Sequence, residues 1–324
     1  MISIIIPVYN VADYVEECLG SIDDQVFDHP REVIIVDDCS TDASAEICRR
    51  YIEQHPASAM RLLENSENRG VSATRNRGLE EAGGRYFMFV DPDDCLPAAA
   101  LASLFDAAER FSADIVKGNN TIFDDRQERA ARYDAKRQIR VTGERVLTTL
   151  FRHEQVRGHP WGKLFRREPL GRFRFPPGVR MAQDLFYCSE VFAHADSLVL
   201  ITQCVYRYRH RQTGSTGGKY ESGSFLDWLD SIENVGQFAS TGKQLRAHRN
   251  LLLRTMTQLA RECRKLTPEQ GRQVLSVIEA RCERWKISWW RLVWNDRLGP
   301  AALLRYLKMR LAIRESRNIE LRAP

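Results

Sequence analysis

The sequence predicts an α/β protein with a doubly wound, mostly parallel sheet and helices on both faces. Short apolar runs alternate with helical patterns through about residue 120, and a polar cluster follows four of these runs. Such sheets bind ligands at the carboxyl ends of their strands, so the clusters mark a candidate site. The runs that predict buried parallel strands are Ile2–Pro7, Val33–Val36, Met60–Leu63, Tyr86–Val90 and Asp114–Lys117.

Helices are predicted between these strands. Asn10 is placed to cap a helix whose apolar residues, from Val11 to Ile22, share one face. Thr41 or Asp42 is placed to cap the next helix. After about residue 222 the pattern becomes helical throughout. The predicted helices there are Phe225–Phe238, Gly242–Leu266, Pro268–Trp294 and Ala301–Glu315.

The composition is that of a globular protein. A chain of 324 residues with 43% hydrophobic residues can bury a core in one large or two modest domains. No run approaches the ~20 apolar residues that a membrane-spanning helix needs, and residues 2–6 lack the basic leader and cleavage site of a signal peptide. The eight cysteines include no CxxC pair, which predicts neither a zinc site nor a disulfide framework. We therefore expect a cytoplasmic protein.

The most informative cluster is Asp91-Pro92-Asp93-Asp94, directly after an apolar strand. Three carboxylates at a buried strand end repel one another unless a cation or ligand lies between them. Oxygen ligands of this kind favour Mg2+ or Mn2+, which commonly bridge to phosphates. The alternative is a solvated turn, since Asp and Pro are ordinary turn residues.

The other three clusters point to different parts of a ligand. Pro7-Val8-Tyr9-Asn10 follows the first strand without the GxGxxG of a dinucleotide-binding enzyme. In the second cluster, one side chain caps a helix and leaves Asp37 and Asp38 free to accept hydrogen bonds from a base or ribose. The third, running from Asn68 to Asn76, offers a Gly turn, a helix start and cations suited to a diphosphate, or else a surface helix with solvated arginines.

Together, the PVYN, DDCSTD, NRGVSATRN and DPDD motifs resemble the family 2 glycosyltransferases with the GT-A fold. The resemblance is strong over residues 1 to about 120 and looser to about 216. It implies a nucleotide-sugar donor, usually a UDP-sugar, and inversion at the anomeric carbon. It further implies that Pro7 and Tyr9 line the base pocket, that Asp38 meets the uracil, and that Arg75 lies near the diphosphate.

The same resemblance assigns the metal. It implies that Asp91 lies near the ribose or the metal and that Asp93 binds the metal, which is Mn2+ or Mg2+. Asp94 matches the family motif too, and the sequence leaves open which two carboxylates touch the ion.

A catalytic base is expected further along the chain. The segment containing Gln183-Asp184 resembles the family's Glu-Asp segment, which makes Asp184 the candidate base. Gln183 stands where the family usually has Glu, and loss of that negative charge is expected to leave the pKa of Asp184 lower than the Glu-Asp arrangement would. Helix capping by Asp184 is an alternative that is compatible with catalysis.

Two later segments also resemble the family. In His159–Phe165, Trp161 either stacks on a sugar or packs in the core. In Tyr206–Arg211, the side chains of Arg209, His210 and Arg211, beside residues 214–216, are expected to close over the diphosphate. Alternation along the strand makes a solvated edge an equally good interpretation, because it places Arg207, Arg209 and Arg211 on one face.

The predicted organisation is a glycosyltransferase domain at 1–220 and a basic, Trp-rich helical region at 221–324. Within the first, 1–120 is the nucleotide-sugar half and 121–220 the acceptor half. The charged stretch Phe123–Arg140 is expected to form a surface loop or hairpin near the acceptor entrance.

The end of the helical region is strongly basic. Residues 281–317 contain ten Lys or Arg against three acidic residues, interleaved with tryptophans, whereas the whole chain carries only +5. Such a segment either binds a membrane surface or packs its aromatic stripe on the catalytic domain. Nucleic acid is not an expected partner, because no nucleic-acid-binding motif accompanies the charge. The oligomeric state is open.

The expected function is transfer of a sugar from a nucleotide sugar to a glycan or lipid-linked saccharide in cell-surface polysaccharide biosynthesis, in the cytoplasm or at the inner face of the cytoplasmic membrane. Two alternatives are a nucleotidyltransferase, which shares the sheet and metal carboxylates, and a non-catalytic nucleotide-sugar-binding or assembly subunit. Asp184 and the lack of a phosphate-binding Gly-rich loop with Lys argue against the first.

Overall fold

The computed structural model describes residues 1–124, 126–131, 134–179, 181–211, 222–263 and 266–285. Over these residues the chain forms one nine-stranded sheet, covered by helices. The strands are β1 Ile2–Val8, β2 Arg31–Asp37, β3 Met60–Glu64, β4 Tyr86–Phe89, β5 Ile115–Phe123, β6 Glu128–Ala130, β7 Ile139–Thr142, β8 Lys163–Arg166 and β9 Ser197–Arg209. The helices are α1 Val15–Asp23, α2 Ser44–Gln54, α3 Val71–Glu81, α4 Ala100–Phe111, α5 Arg145–Arg152, α6 Arg167–Leu170, α7 Gln183–His194, α8 Ser222–Asn234, α9 Gly242–Glu262 and α10 Pro268–Arg284.

The strand order explains why the polar clusters meet. The order β3-β2-β1-β4-β8-β5-β9-β7 has parallel pairing throughout its first four strands. β8 then pairs antiparallel with both β4 and β5, while β6 extends β5 as a hairpin. The carboxyl ends of β1, β2, β3 and β4 therefore share one edge of the sheet, as the sequence predicted.

The sheet has an apolar cluster on each face because successive strand residues point to opposite sides. Ile5 and Phe89 contribute to the cluster that packs α5 and α7, while Ile4 and Met88 contribute to the one that packs α1, α2 and α4. The all-apolar runs predicted as buried strands are consistent with this arrangement.

β5 is longer than predicted. The run was expected to end at Lys117, but the strand continues to Phe123 across an irregularity after Lys117. The amide of Asn119 donates to the Ala135 carbonyl, and its Oδ1 accepts from the Ala135 N–H at 2.7 Å. Local side-chain bonding thus satisfies a polar residue inside the sheet.

Two of the expected helix caps, at Asn10 and at Asp184, are wrong. α1 begins only at Val15, so Asn10 does not cap it; its Oδ1 accepts from the Thr41 N–H at 2.9 Å. At the start of α2, Asp42 and not Thr41 accepts from the Ser44 N–H, at 2.9 Å. Asp184 is not a cap either, since Ala182 precedes α7 and Asp184 lies in its first turn.

The C-terminal helices pack directly on the helices of residues 121–220. α9 contacts α5, α8 contacts α7, and Leu229 and Leu252 are fully buried in the same apolar cluster as Phe151 of α5. The domain boundary at 220/221 stays a prediction, and it does not separate two cores. In the part of the chain described, no helix is both long and apolar enough to span a bilayer.

Other predictions for this part of the chain have mixed outcomes. Thr267 caps α10, which begins at Pro268 as predicted, with a capping box to Gln270. The stretch from Phe123 to Arg140 forms the β5–β6 hairpin and reaches β7. The predicted last helix and nearly all of the basic segment 281–317 lie outside the described residues, so membrane association stays a prediction.

Candidate active site

A cavity of about 940 Å3 opens at the carboxyl edge of the sheet. Its wall combines the ends of β1 and β4, the start of α7, the end of β9 and the segment before β8. The predicted site residues that line it are Pro7, Tyr9, Arg75, Asp91, Asp93, Trp161, Gln183, Asp184, Arg209 and Arg211. Segments far apart in the sequence thus converge on one site, as their positions at strand ends predicted.

Arg75 lies at the centre of this site and joins its two acidic ends. Its Nη2 lies 2.9 Å from Asp91 Oδ1, and its Nη1 lies 2.6 Å from Asp184 Oδ1. The side chain is only 5% exposed and packs over the ring of Phe175. Burial by itself lowers the pKa of Arg75, but Asp184 and Asp91 raise it above its ordinary value, so the guanidinium stays charged.

Asp184 keeps partial access to the cavity from the first turn of α7. Its side chain is 28% exposed, whereas its Oδ1 is held by Arg75. Burial raises the pKa of Asp184 above its ordinary value, with a further contribution from Asp91, although Arg75 acts in the opposite direction. A carboxylate with a raised pKa is a stronger base than an ordinary Asp, and it faces the cavity. The expected effect of Gln183, relative to a Glu at that position, stays a prediction.

Asp91 and Asp93 form the second acidic end. Both side chains line the cavity, and Asp93 Oδ2 lies 2.7 Å from Arg211 Nη2. Burial raises the pKa of Asp93, and repulsion from Asp91 raises it further. Two neighbouring carboxylates that face the same cavity fit a divalent cation, because its charge would relieve the repulsion between them. The described residues contain no group of three or more His, Cys, Asp or Glu placed to hold a metal alone, so other ligands are required.

Asp94 differs in position from Asp91 and Asp93, although which two carboxylates touch the ion stays a prediction. It is fully buried and does not line the cavity. Its Oδ1 accepts from the Arg209 N–H at 2.7 Å, and its Oδ2 accepts from the Tyr206 hydroxyl at 2.8 Å. Asp94 therefore ties the acidic loop to β9, and the two carboxylates that face the cavity are Asp91 and Asp93.

The second and third clusters contribute mainly to the framework. Asp38 is 2% exposed and accepts from the N–H groups of Arg69 and Gly70 and from the Asn65 amide, so it holds the turn that leads into α3. Asp37 is equally buried. Asp38, Asp37 and the exposed Asn68 are absent from the cavity wall, and the contact of Asp38 with uracil stays a prediction.

The basic end of β9 reaches over the acidic loop. Arg209 pairs with Glu17, donates to the Asp93 carbonyl at 2.9 Å and lies 4.4 Å from the ring centre of Phe123. Arg211 pairs with Asp93, while His210 is exposed and lies outside the cavity wall. The side chains of Arg209 and Arg211 are 12% and 24% exposed, which is less than a solvated edge strand requires. Residues 214–216 of the expected closing loop lie outside the described residues.

Aromatic rings form another wall. Trp161 stacks on His159 with ring centres 3.5 Å apart and on Tyr206 at 4.5 Å, and it also lines the cavity. Two rings at these separations, each nearly parallel to the indole, cover its opposite faces, so Trp161 packs between them and borders the cavity with its edge. Stacking of Trp161 on a sugar stays a prediction. Tyr9, at the opposite end, is 45% exposed.

Several lining residues were not predicted as site residues. Lys117, His153, Arg157 and Trp228 also border the cavity. The sequence carries a signal for Lys117, since a lysine at the end of an apolar strand has to face either solvent or a ligand. The sequence carries no such signal for Trp228. This residue belongs to α8, and the packing of that helix on the rest of the fold cannot be predicted from local sequence.

The family model for glycosyl transferase family 2 matches residues 3–173, which contain the strand-end clusters and β8. The chain belongs to this family. Glycosyltransferase GlyA of Streptococcus pneumoniae is 28% identical over 76% of the chain. The chain spans 36% of the length of GlyA.

Solved structures of two other proteins share the fold of this family 2 member. S. aureus TarS 1-349, solved in complex with UDP-GlcNAc, superposes with a TM-score of 0.70 and 20% identity, covering 97% of this chain and 91% of TarS 1-349. The mannosyltransferase PcManGT of Pyrobaculum calidifontis, solved with GDP-Man and Mn2+, gives a TM-score of 0.56 at 20% identity, covering 96% of this chain and 86% of PcManGT. The predicted GT-A-type fold is thereby confirmed.

Proposed function

We propose that the chain is an inverting glycosyltransferase that moves a sugar from a UDP-sugar to a glycan or lipid-linked saccharide in cell-surface polysaccharide biosynthesis. The observation that carries this proposal is the pair of ion pairs made by Arg75, which holds the base candidate Asp184 and the metal candidate Asp91 across one cavity. A displacement reaction needs these two functions on opposite sides of the reacting carbon.

The donor end is assigned to the acidic loop and its cationic neighbours. Pro7 and Tyr9 border the space for the base, and Asp91 and Asp93 would hold Mn2+ or Mg2+. When bound, such an ion neutralises the diphosphate and the charge that develops on the leaving oxygen. TarS was solved with UDP-GlcNAc and PcManGT with GDP-Man and Mn2+, which supports a nucleotide sugar with a divalent metal.

Asp184 is assigned as the general base. One of its oxygens is held by Arg75, and a 28% exposed side chain leaves room for an acceptor hydroxyl. The hydroxyl proton passes to the Asp184 carboxylate while the hydroxyl oxygen bonds to the anomeric carbon and the bond from that carbon to the diphosphate oxygen breaks. A single displacement of this kind inverts the anomeric centre and needs only one base.

Arg75 and the aromatic wall support the same reaction. The charge of Arg75 lies beside Asp91, where it can stabilise a leaving diphosphate, and its position is fixed because both Nη atoms are bound. Trp161 borders the cavity from a stack between His159 and Tyr206, so a contact with the sugar would use the edge of its ring.

Asp184→Asn tests the assignment, with Asp106→Asn as a matched control, because Asp106 is exposed on α4 and away from the cavity. A panel of UDP-sugars is screened for transfer to saccharide acceptors. We expect Asp184→Asn to lower turnover by roughly 10²–10⁴-fold, the typical contribution of a general base, while UDP affinity stays near the wild-type value. Unchanged turnover in Asp184→Asn would show that the base lies elsewhere.

A further inference from the structure

Two lysines face each other inside the sheet beside the cavity. Lys117 of β5 and Lys163 of β8 are direct partners in the antiparallel register, so both side chains point to the same face. Lys117 is 5% exposed and Lys163 is fully buried. Like charges directly opposite each other destabilise a sheet, so an unrelieved pair of this kind needs an explanation.

The two lysines differ in their partners. Lys163 donates to the His159 carbonyl, and burial lowers its pKa to about 8. Lys117 lines the cavity, and among the described residues its side chain has neither a hydrogen bond nor an ion pair within 4 Å. Burial lowers the pKa of Lys117, and Asp134 acts in the opposite direction through space. A buried ammonium without a partner is costly unless a ligand supplies the missing charge.

The surroundings of Lys117 offer further donors. His153, His159 and Arg157 line the same part of the wall, and Arg157 Nη1 lies 3.1 Å from His153 Nδ1. The Nδ1 atom of His159 is buried without a hydrogen-bond partner. Burial, followed by the charge of Lys163, lowers the pKa of His159 well below its ordinary value, so this ring stays neutral beside the lysines.

The carboxylates of the cavity are engaged elsewhere. Asp91 and Asp184 both pair with Arg75, and Asp93 pairs with Arg211. These are the acidic residues of the cavity wall described here, and none of them forms an ion pair with Lys117. The carboxylates that line the cavity therefore do not neutralise Lys117.

We propose that Lys117 binds an oxyanion of the acceptor, a phosphate or a carboxylate, beside the hydroxyl that Asp184 activates. This inference rests on the proposed function and adds the chemical class of the acceptor. A neutral saccharide would offer only hydroxyl oxygens, which compensate a buried ammonium less than a charge-assisted bond does. Lysine suits this role because its ammonium is a compact charge that meets an anion from several directions.

The test uses calorimetric titration of three acceptor probes into the protein with UDP and Mn2+ present. The probes are oligo(glycerol phosphate), oligogalacturonate and a neutral malto-oligosaccharide of the same length. We expect one anionic probe to bind at least tenfold more tightly than the neutral one. Tighter binding of oligo(glycerol phosphate) would indicate a phosphate, and tighter binding of oligogalacturonate would indicate a carboxylate. Equal affinity for the neutral probe, or no binding of either anionic probe, would overturn the proposal.

Variants locate the binding to Lys117. Lys117→Met is expected to weaken the anionic probe at least tenfold while leaving the affinity for UDP unchanged. Lys243→Met is the control, because Lys243 is 64% exposed on α9 and pairs with Glu144 outside the cavity. An equal loss in both variants, or none in Lys117→Met, would contradict the assignment. Absence of UDP binding in the wild type would instead remove the proposed function itself.

Stability gives an independent readout. Lys117→Met removes a buried charge that has no ion-pair partner within the described residues, so the variant is expected to unfold at the same temperature as the wild type or higher. A lysine retained only for structure would show the opposite result, a lowered midpoint of thermal unfolding.

Discussion

Arg75 holds Asp184 by a 2.6 Å ion pair that spans 109 residues of the chain. The contact fixes the start of α7 against α3, and the other half of the guanidinium binds Asp91. The position of the candidate base is therefore coupled to the loop that carries the candidate metal ligands. A change of charge or position at Asp91 is therefore expected to affect Asp184 through Arg75, and the reverse is expected too.

Replacement of Arg75 by Met leaves two partly buried carboxylates without a cation. Breaking a buried pair on one side typically costs about 3–5 kcal/mol of unfolding free energy, and the 22% and 28% exposure of the two acids places the expected cost near the lower figure, about 3 kcal/mol. Urea unfolding measures it. Arg77→Met is the comparison on the same helix; a loss as large as that of Arg75→Met would argue against a special role for the buried pair.

The pH dependence of turnover should report Asp184. A base accepts a proton only when it is ionised, and burial raises the pKa of Asp184, so activity should fall as the pH drops through that raised value. The acid limb of kcat is thus expected above the ordinary Asp value of about 3.9. Since Arg75 lowers the pKa of Asp184, Arg75→Met should move the acid limb to higher pH. Arg75→Lys, which keeps the charge but changes its geometry, should move it less. A limb that is identical in wild type and Arg75→Met would contradict the coupling.

Tyr206 is predicted to support the metal loop from behind. Its hydroxyl donates to Asp94 Oδ2 and accepts from the Asp91 N–H at 3.0 Å. Tyr206→Phe leaves both groups without this partner and should cost about 1–3 kcal/mol of stability and weaken Mn2+-dependent nucleotide binding. Tyr51→Phe is the control, on α2 and away from the cavity. Nucleotide affinity that is unchanged in Tyr206→Phe would show that the loop holds its shape without the hydroxyl.

Much of the candidate site could be predicted from the sequence, because its residues follow directly after predicted strands. Asp91, Asp93 and Arg75 meet at one cavity because parallel strands end at one edge and each cluster directly follows a strand, while their roles stay predictions. The sequence does not distinguish Asp94 from its neighbours, since the direction of each side chain depends on the loop. Asp94 turns inward only because Tyr206 and the Arg209 N–H, more than a hundred residues away, meet it there.

Lys117, Lys163 and Trp228 were harder to predict, because their positions too depend on contacts between distant parts of the chain. Lys117 and Lys163 belong to segments that the sequence treats as separate, and only the β5–β8 register makes them neighbours. Trp228 reaches the cavity through the packing of α8 against α7. Long-range antiparallel pairing and helix docking leave no local pattern, so these residues emerge only from the folded structure.

The most direct test of the account is calorimetric titration of UDP into the purified protein with Mn2+, repeated with EDTA and with GDP and CDP as controls. We predict metal-dependent binding selective for UDP, lost in Asp93→Asn and kept in the exposed control Asp106→Asn. No binding of any of these nucleotides with or without Mn2+ would contradict a donor site at Asp91 and Asp93, and with it the proposed transfer reaction.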